Sequence, residues 1–123
     1  MPQLAHLISA EKFLLGDQLP NVQYPEIPAA IASLGSERTG KVDPPDGYLP
    51  KAQYLEWLGK MRAVTIAAVD RLSDADFDRP TTNMMAKHAP TLGALLILTA
   101  NHTLMHGGQF TVTRRALNKP VVF

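Results

Sequence analysis

The chain has 123 residues, no cysteine and a formal net charge of +1; 46% of it is hydrophobic and 19% is charged. That length fits a single domain, 1–123, with one core, and that composition excludes a disordered chain. The missing cysteine excludes disulfides, thiolate metal sites and cysteine nucleophiles, and the near-neutral charge supplies no electrostatic drive toward nucleic acid or a membrane surface.

The first residues lack the basic region, apolar run and small-residue cleavage site of a signal peptide. The apolar run 92–100 is far shorter than the roughly 20 residues needed to cross a bilayer. No membrane partner is expected, and a reducing cytoplasm fits these features. There is no internal repeat and no low-complexity tract.

Residues 3–15 predict a helix. Pro2 is tolerated in a first turn, and Gly16 is a stop signal. Leu4, Leu7, Ile8, Leu14 and Leu15 make a broad apolar face, with His6, Ala10 and Phe13 as an adjoining stripe. Residues 16–49 are irregular and rich in proline and glycine, with a short helix expected over 28–34 and an exposed loop over 36–47. A connection this long reads either as a functional loop or lid, or as a plain surface crossover.

A second long helix is predicted over 50–72. Tyr54, Leu58, Met61, Thr65, Ala68 and Leu72 recur with a period near 3.6, and Trp57 is expected in the core beside them. Glu56 and Lys60 are placed to pair on the outside. Gly59 costs about 1 kcal/mol of helix propensity, which suggests close packing there. Ser73 and Asp76 have the spacing of a capping box, and residues 79–90 form a loop that holds His88.

The third long helix begins near Thr91, whose hydroxyl can cap it. Leu92, Leu95, Thr99, His102, His106, Gln109 and Thr113 line one side, turning from apolar to polar as they reach the histidines. Gly107 and Gly108 suggest a close approach, a bend or a bound group. Arg114 and Arg115 suit the negative end of the helix, Asn118 can terminate it and Pro120 forbids continuation. No β-sheet pattern appears, so the fold class is all-α.

His102 and His106 are four residues apart on this helix, so their side chains share a face and can share one metal ion. A zincin-type protease needs Glu directly after the first histidine; Thr103 stands there instead. Two histidines alone make a weak site, and the candidates for a third ligand are His6, His88, Glu11 and Asp17. Without a metal, the same pair reads as two half-buried, hydrogen-bonded imidazoles. Asn101 and Gln109 can orient a ligand or a substrate.

The segment HTLMHGGQFTVTRRALNKPVVF resembles the end of the DinB-like family, which includes the bacillithiol transferases of the YfiT type. That family ends approximately in His-x-x-x-His-x-Gly-Gln followed by Arg-Arg-x-Leu-Gly-x-Pro. Here the positions are His102, His106, Gly108, Gln109, Arg114, Arg115, Leu117, Asn118 and Pro120, with Asn118 in place of the glycine. PTLGALLILTAN and the connector LSDADFDRP are similar too, and LAHLISAEKF resembles the family's second helix.

The resemblance implies a four-helix-bundle type of fold. It also implies a divalent metal, zinc or nickel, held by His6, His102 and His106 with an open position. The implied activity is transfer of a low-molecular-weight thiol to a small electrophile, with Glu11, Asn101 and Gln109 as auxiliary candidates. The other reading is a non-catalytic, metal-stabilised module. The family normally has a helix before the one that carries His6, so the resemblance implies a chain shortened at its amino terminus. The apolar surface left by three main helices then leads to the expectation of a homodimer.

Overall fold

A computed structural model describes residues 2–35, 44 and 47–120. Four helices follow one another: α1, Pro2–Leu15; α2, Ala29–Ala32; α3, Lys51–Val69; and α4, Leu92–Ala116. Two 3-10 turns, Asp74–Asp78 and Met84–Lys87, lie between α3 and α4. Among the described residues the extended pairing is limited to an isolated bridge between Pro80 and Thr91.

α1 occupies the middle. It packs against α2, α3 and α4, and the core is built on it. Ala5, Ile8 and Leu15 are completely buried, and they meet Ile31 of α2, Tyr54 and Met61 of α3, and Leu95 of α4. The broad apolar face read from residues 4–15 is therefore buried on several sides at once. The adjoining stripe does not stay with it: Ala10 is half-buried and Phe13 is 63% exposed.

The connection after α1 is more than a surface crossover. Leu19, Tyr24, Ile31 and Leu34 are buried core residues. Burying this much apolar surface holds an irregular segment against α1, where its sequence alone would leave it loose. Pro28 caps the short helix, as its fixed backbone allows. Most of the expected 36–47 loop lies outside the described residues; within it, Gly47 turns the chain at φ +76° and donates to the Pro44 carbonyl at 3.0 Å.

α3 ends at Val69, three residues before the expected end at Leu72. Arg71 and Leu72 bond back to Ala68 and Val69, so the chain tightens by i to i−3 bonds. Ser73 is already extended and begins the next turn, its N–H donating to Asp76 Oδ2 at 2.9 Å. Trp57 is half-buried and packs against the core from the flank of α3, with Lys60 Nζ 4.7 Å from its ring centroid in a cation–π contact. Gly59 has open space around its Cα, so close packing does not account for it. The Glu56–Lys60 ion pair forms as expected, at 2.9 Å.

α4 has both of its expected ends. Thr91 Oγ1 accepts from the Ala94 N–H at 3.2 Å. At the other end Asn118 is left-handed, φ 53°; its N–H bonds to Arg115 O, and Lys119 N–H bonds to Arg114 O. These two bonds make a Schellman motif, which satisfies carbonyls the helix end would otherwise leave free. The helix runs unbroken through Gly107 and Gly108, and neither has a neighbour within 4 Å of where a Cβ would stand. The close approach is at Gly93 instead, where a Cβ would lie 3.2 Å from the Phe77 carbonyl.

Leu95 is fully buried, whereas Ile97, two residues on, is 65% exposed. Leu95→Ala is therefore expected to cost about 2–5 kcal/mol of unfolding free energy in a denaturant titration. Ile97→Ala should change it by no more than about 0.5 kcal/mol, as a surface substitution. Equal losses would mean that α4 presents a different face to α1.

Candidate metal centre

The site is made where α1 and α4 face each other. On α4, His102 and His106 stand one turn apart, as their spacing requires. The packing of α1 against α4 brings His6 to the same point from a residue 96 positions away. His102 Nε2 lies 3.1 Å from His6 Nε2 and 3.1 Å from His106 Nε2. The three ring centroids are 4.8–5.0 Å apart and all three rings meet edge to face. Each histidine is half-buried.

The outer nitrogens settle the tautomers. His6 Nδ1 is 2.9 Å from the Gly35 carbonyl, which can only accept, so Nδ1 carries the proton. His106 Nδ1 donates in the same way to Gln109 Oε1 at 2.8 Å. In the neutral rings, the Nε2 atoms of His6 and His106 therefore both present lone pairs to His102 Nε2. A neutral His102 has at most one proton there, and one proton can satisfy only one of two contacts at a time. The remaining contact sets lone pair against lone pair.

That arrangement suits a cation. Zinc–imidazole bonds of roughly 2.0–2.1 Å at tetrahedral angles separate ligand nitrogens by about 3.3 Å, close to the 3.1 Å from His102 Nε2 to each of the other two. Outward hydrogen bonds from the second ring nitrogen are what metal-binding histidines ordinarily make. The cluster can thus chelate a divalent ion through three nitrogens, all lying within 4.8 Å of one another.

The other candidates lie elsewhere. His88 is exposed at the end of the second 3-10 turn, and Asp17 is exposed just past α1. Asn101 is exposed on α4. Glu11 is 2% exposed, but it is fully engaged. Arg62 Nε reaches its two oxygens at 2.9 and 3.2 Å, Arg62 Nη2 lies 3.1 Å from Oε2, and Thr65 Oγ1 donates to Oε1 at 2.6 Å. Tyr24 adds its hydroxyl to Thr65 at 2.7 Å, and Arg62 Nη2 also donates to Thr103 Oγ1 at 3.2 Å. Glu11 is thus the centre of a polar network that ties α1 to α3 and α4. Burial is the main reason the Tyr24 hydroxyl ionises above its ordinary range.

Two participants were not foreseen from the sequence. Arg62 had a signal: a carboxylate on the buried face of α1 demands a cation from a facing helix. Gly35 had none, because its contribution is a backbone carbonyl. Beside this network a cavity of about 440 Å³ opens between α3 and α4 over α1, with Leu15, Val69, Phe77, Leu96 and Ile97 in its walls.

A family model described as the DinB superfamily matches residues 2–110, and the chain belongs to that superfamily. No curated protein and no solved structure matches it. No described helix is long and apolar enough to cross a membrane.

His102 holds a proton less readily than the ordinary value of 6.5, first because it is buried and then because His106 and His6 would present like charge. Below about pH 6.5 the unfolded chain takes up a proton at this position that the folded, metal-free protein resists, so stability rises with pH through that range. The metal-free protein is expected to lose thermal stability as pH falls from 7 to 5. His102→Gln should flatten that slope; an unchanged slope would assign the acid loss to other groups.

Proposed function

We propose that this DinB-superfamily chain holds one divalent cation, zinc or nickel, on the Nε2 atoms of His6, His102 and His106, and that the loaded site serves transfer of a low-molecular-weight thiol to a small electrophile, as in the YfiT-type bacillithiol transferases. The observation that carries this reading is the convergence of three Nε2 atoms, two of which, on His6 and His106, belong to rings whose Nδ1 donates outward. When bound, such a cation supplies Lewis-acid chemistry, lowering the pKa of a coordinated water or thiol. Three protein ligands leave a coordination position for a small molecule, the pattern of a catalytic site rather than a closed structural one.

The chain's own groups orient and exclude. Gly35 and Gln109 fix the His6 and His106 rings so that Nε2 faces inward. Gln109, exposed beside His106, is also placed to meet an incoming polar group. Glu11 is withdrawn from proton transfer by Arg62 and Thr65, and it serves as a helix tie instead. The cavity over α1 has the volume of a small-molecule site, but its walls include Glu11, Arg62 and Thr65 and none of the three histidines, so it does not carry the reading.

A second reading is a dimeric, metal-stabilised module without catalysis. The observation in its favour is the apolar surface on the outside: Ile66, Ile97, Leu104, Met105 and Val112 are all more than half exposed. Such surface suits a homodimer, for which a stable interface buries at least about 1,000 Å² in total. The two readings part on chelation: the module should lose its fold when the ion is removed, whereas the enzyme should lose activity first.

Calorimetric titration of zinc, and separately of nickel, is expected to give one ion per chain. His106→Ala should weaken binding at least about tenfold, whereas His88→Ala should leave it unchanged, since His88 is exposed and lies outside the cluster. Equal losses would remove the assignment. The metal-loaded protein, screened with low-molecular-weight thiols against model electrophiles, should give turnover that chelation and His106→Ala both abolish. Turnover that survives both would place the chemistry elsewhere.

A further inference from the structure

Gly35 lies in the connection that follows α1, just after α2, and its backbone lies directly against α1. A Cβ at position 35 would collide with the Ser9 hydroxyl and stand 2.8 Å from Ser9 Cβ. Ser9 is three residues after His6, so it shares that face of α1. Glycine is what lets the connection come this close, and the close approach brings its carbonyl to 2.9 Å from His6 Nδ1. Among the described residues, the Ser9 hydroxyl is buried there without a hydrogen-bond partner. A buried, unbonded hydroxyl is unfavourable, so the fold tolerates a penalty at the very point where Gly35 meets α1.

We propose that Gly35 is the positioning residue of the histidine cluster: its missing side chain seats a backbone carbonyl on His6, which fixes the tautomer and turns Nε2 toward His102 and His106. The connection thereby forms the outer layer of the site. His106 receives the same service from Gln109 on its own helix, three residues on. His6 has no such partner on α1, and the connection supplies it. As it concerns metal binding, this inference rests on the reading that the cluster holds a cation; as it concerns the His6 ring, it does not.

The test uses the full chain, wild type and two variants. Gly35→Ala introduces the colliding methyl group. The double variant Gly35→Ala/Ser9→Gly keeps that methyl and removes the atoms it would strike. Zinc affinity is read by competition with a chelating indicator, and thermal unfolding of the metal-free protein is read alongside. Imidazole nitrogen NMR at alkaline pH reports the His6 tautomer. Gly35→Ala should weaken zinc binding by about 10–100-fold, the usual cost of losing an outer partner of a ligating histidine. It should also abolish the preference of His6 for a protonated Nδ1.

The double variant should recover most of the affinity and the tautomer preference, even though a second glycine inside α1 lowers its melting temperature. A merely structural role would follow stability instead, leaving the double variant as poor as the single one or poorer; that result overturns the proposal. So does a Gly35→Ala protein with wild-type affinity and an unchanged His6 tautomer. If the wild-type protein binds no zinc, the metal reading fails by itself. The positioning role is then decided by the metal-free spectra: loss of the Nδ1–H preference in Gly35→Ala and its return in the double variant uphold it, and an unchanged spectrum overturns it.

Discussion

α1 is buried against three other helices, and among the polar groups it carries there are the half-buried His6 and the buried Glu11. A buried polar group is costly unless other groups bond to it, and a buried charge is more costly still. Much of the tertiary arrangement answers this demand. Arg62 and Thr65 come from α3 to Glu11, and Gly35 and His102 come from the connection and α4 to His6. The network also links the elements to one another: Arg62 bonds both Glu11 and Thr103, which follows His102 directly.

Glu11 and His6 end in different states. Glu11 is satisfied: a forked guanidinium and a hydroxyl occupy its oxygens, and the charge is neutralised where it stands. The histidine cluster is not satisfied by protons alone, because its two contacts converge on one nitrogen that can carry a single hydrogen. Burial also disfavours a charged His102. The first cluster ties helices together, and the second is able to hold a cation. The difference between them lies in bonding capacity.

Membership of the DinB superfamily agrees with an all-α bundle built on α1, α3 and α4. Several positions that the sequence suggested for a buried stripe or for close packing lie open instead. Phe13 leaves the core at the end of α1, and Gly59, Gly107 and Gly108 have open space around them. A helical period fixes only the angle between residues on one helix. How wide the buried sector is depends on how many neighbours that helix has.

The sequence determined what is local. The period of the apolar residues defined three long helices, and Thr91 and Asn118 marked the ends of the last one through hydroxyl capping and a left-handed residue. The i,i+4 spacing put His102 and His106 on one face, and Gln109, three residues on, was within reach of His106. These relations follow from the rise and turn of a single helix. The tertiary structure decided what is distant. Spacing left His6, His88, Glu11 and Asp17 open as the third member of the cluster, and family resemblance favoured His6. The packing of α1 on α4 brings His6 to the pair, while Arg62 and Thr65 engage Glu11. The Gly35 carbonyl was invisible in the sequence because every residue carries the same backbone group. Helical geometry sets angles along one element; contacts between elements depend on which side chains fit together and which buried polar groups find partners.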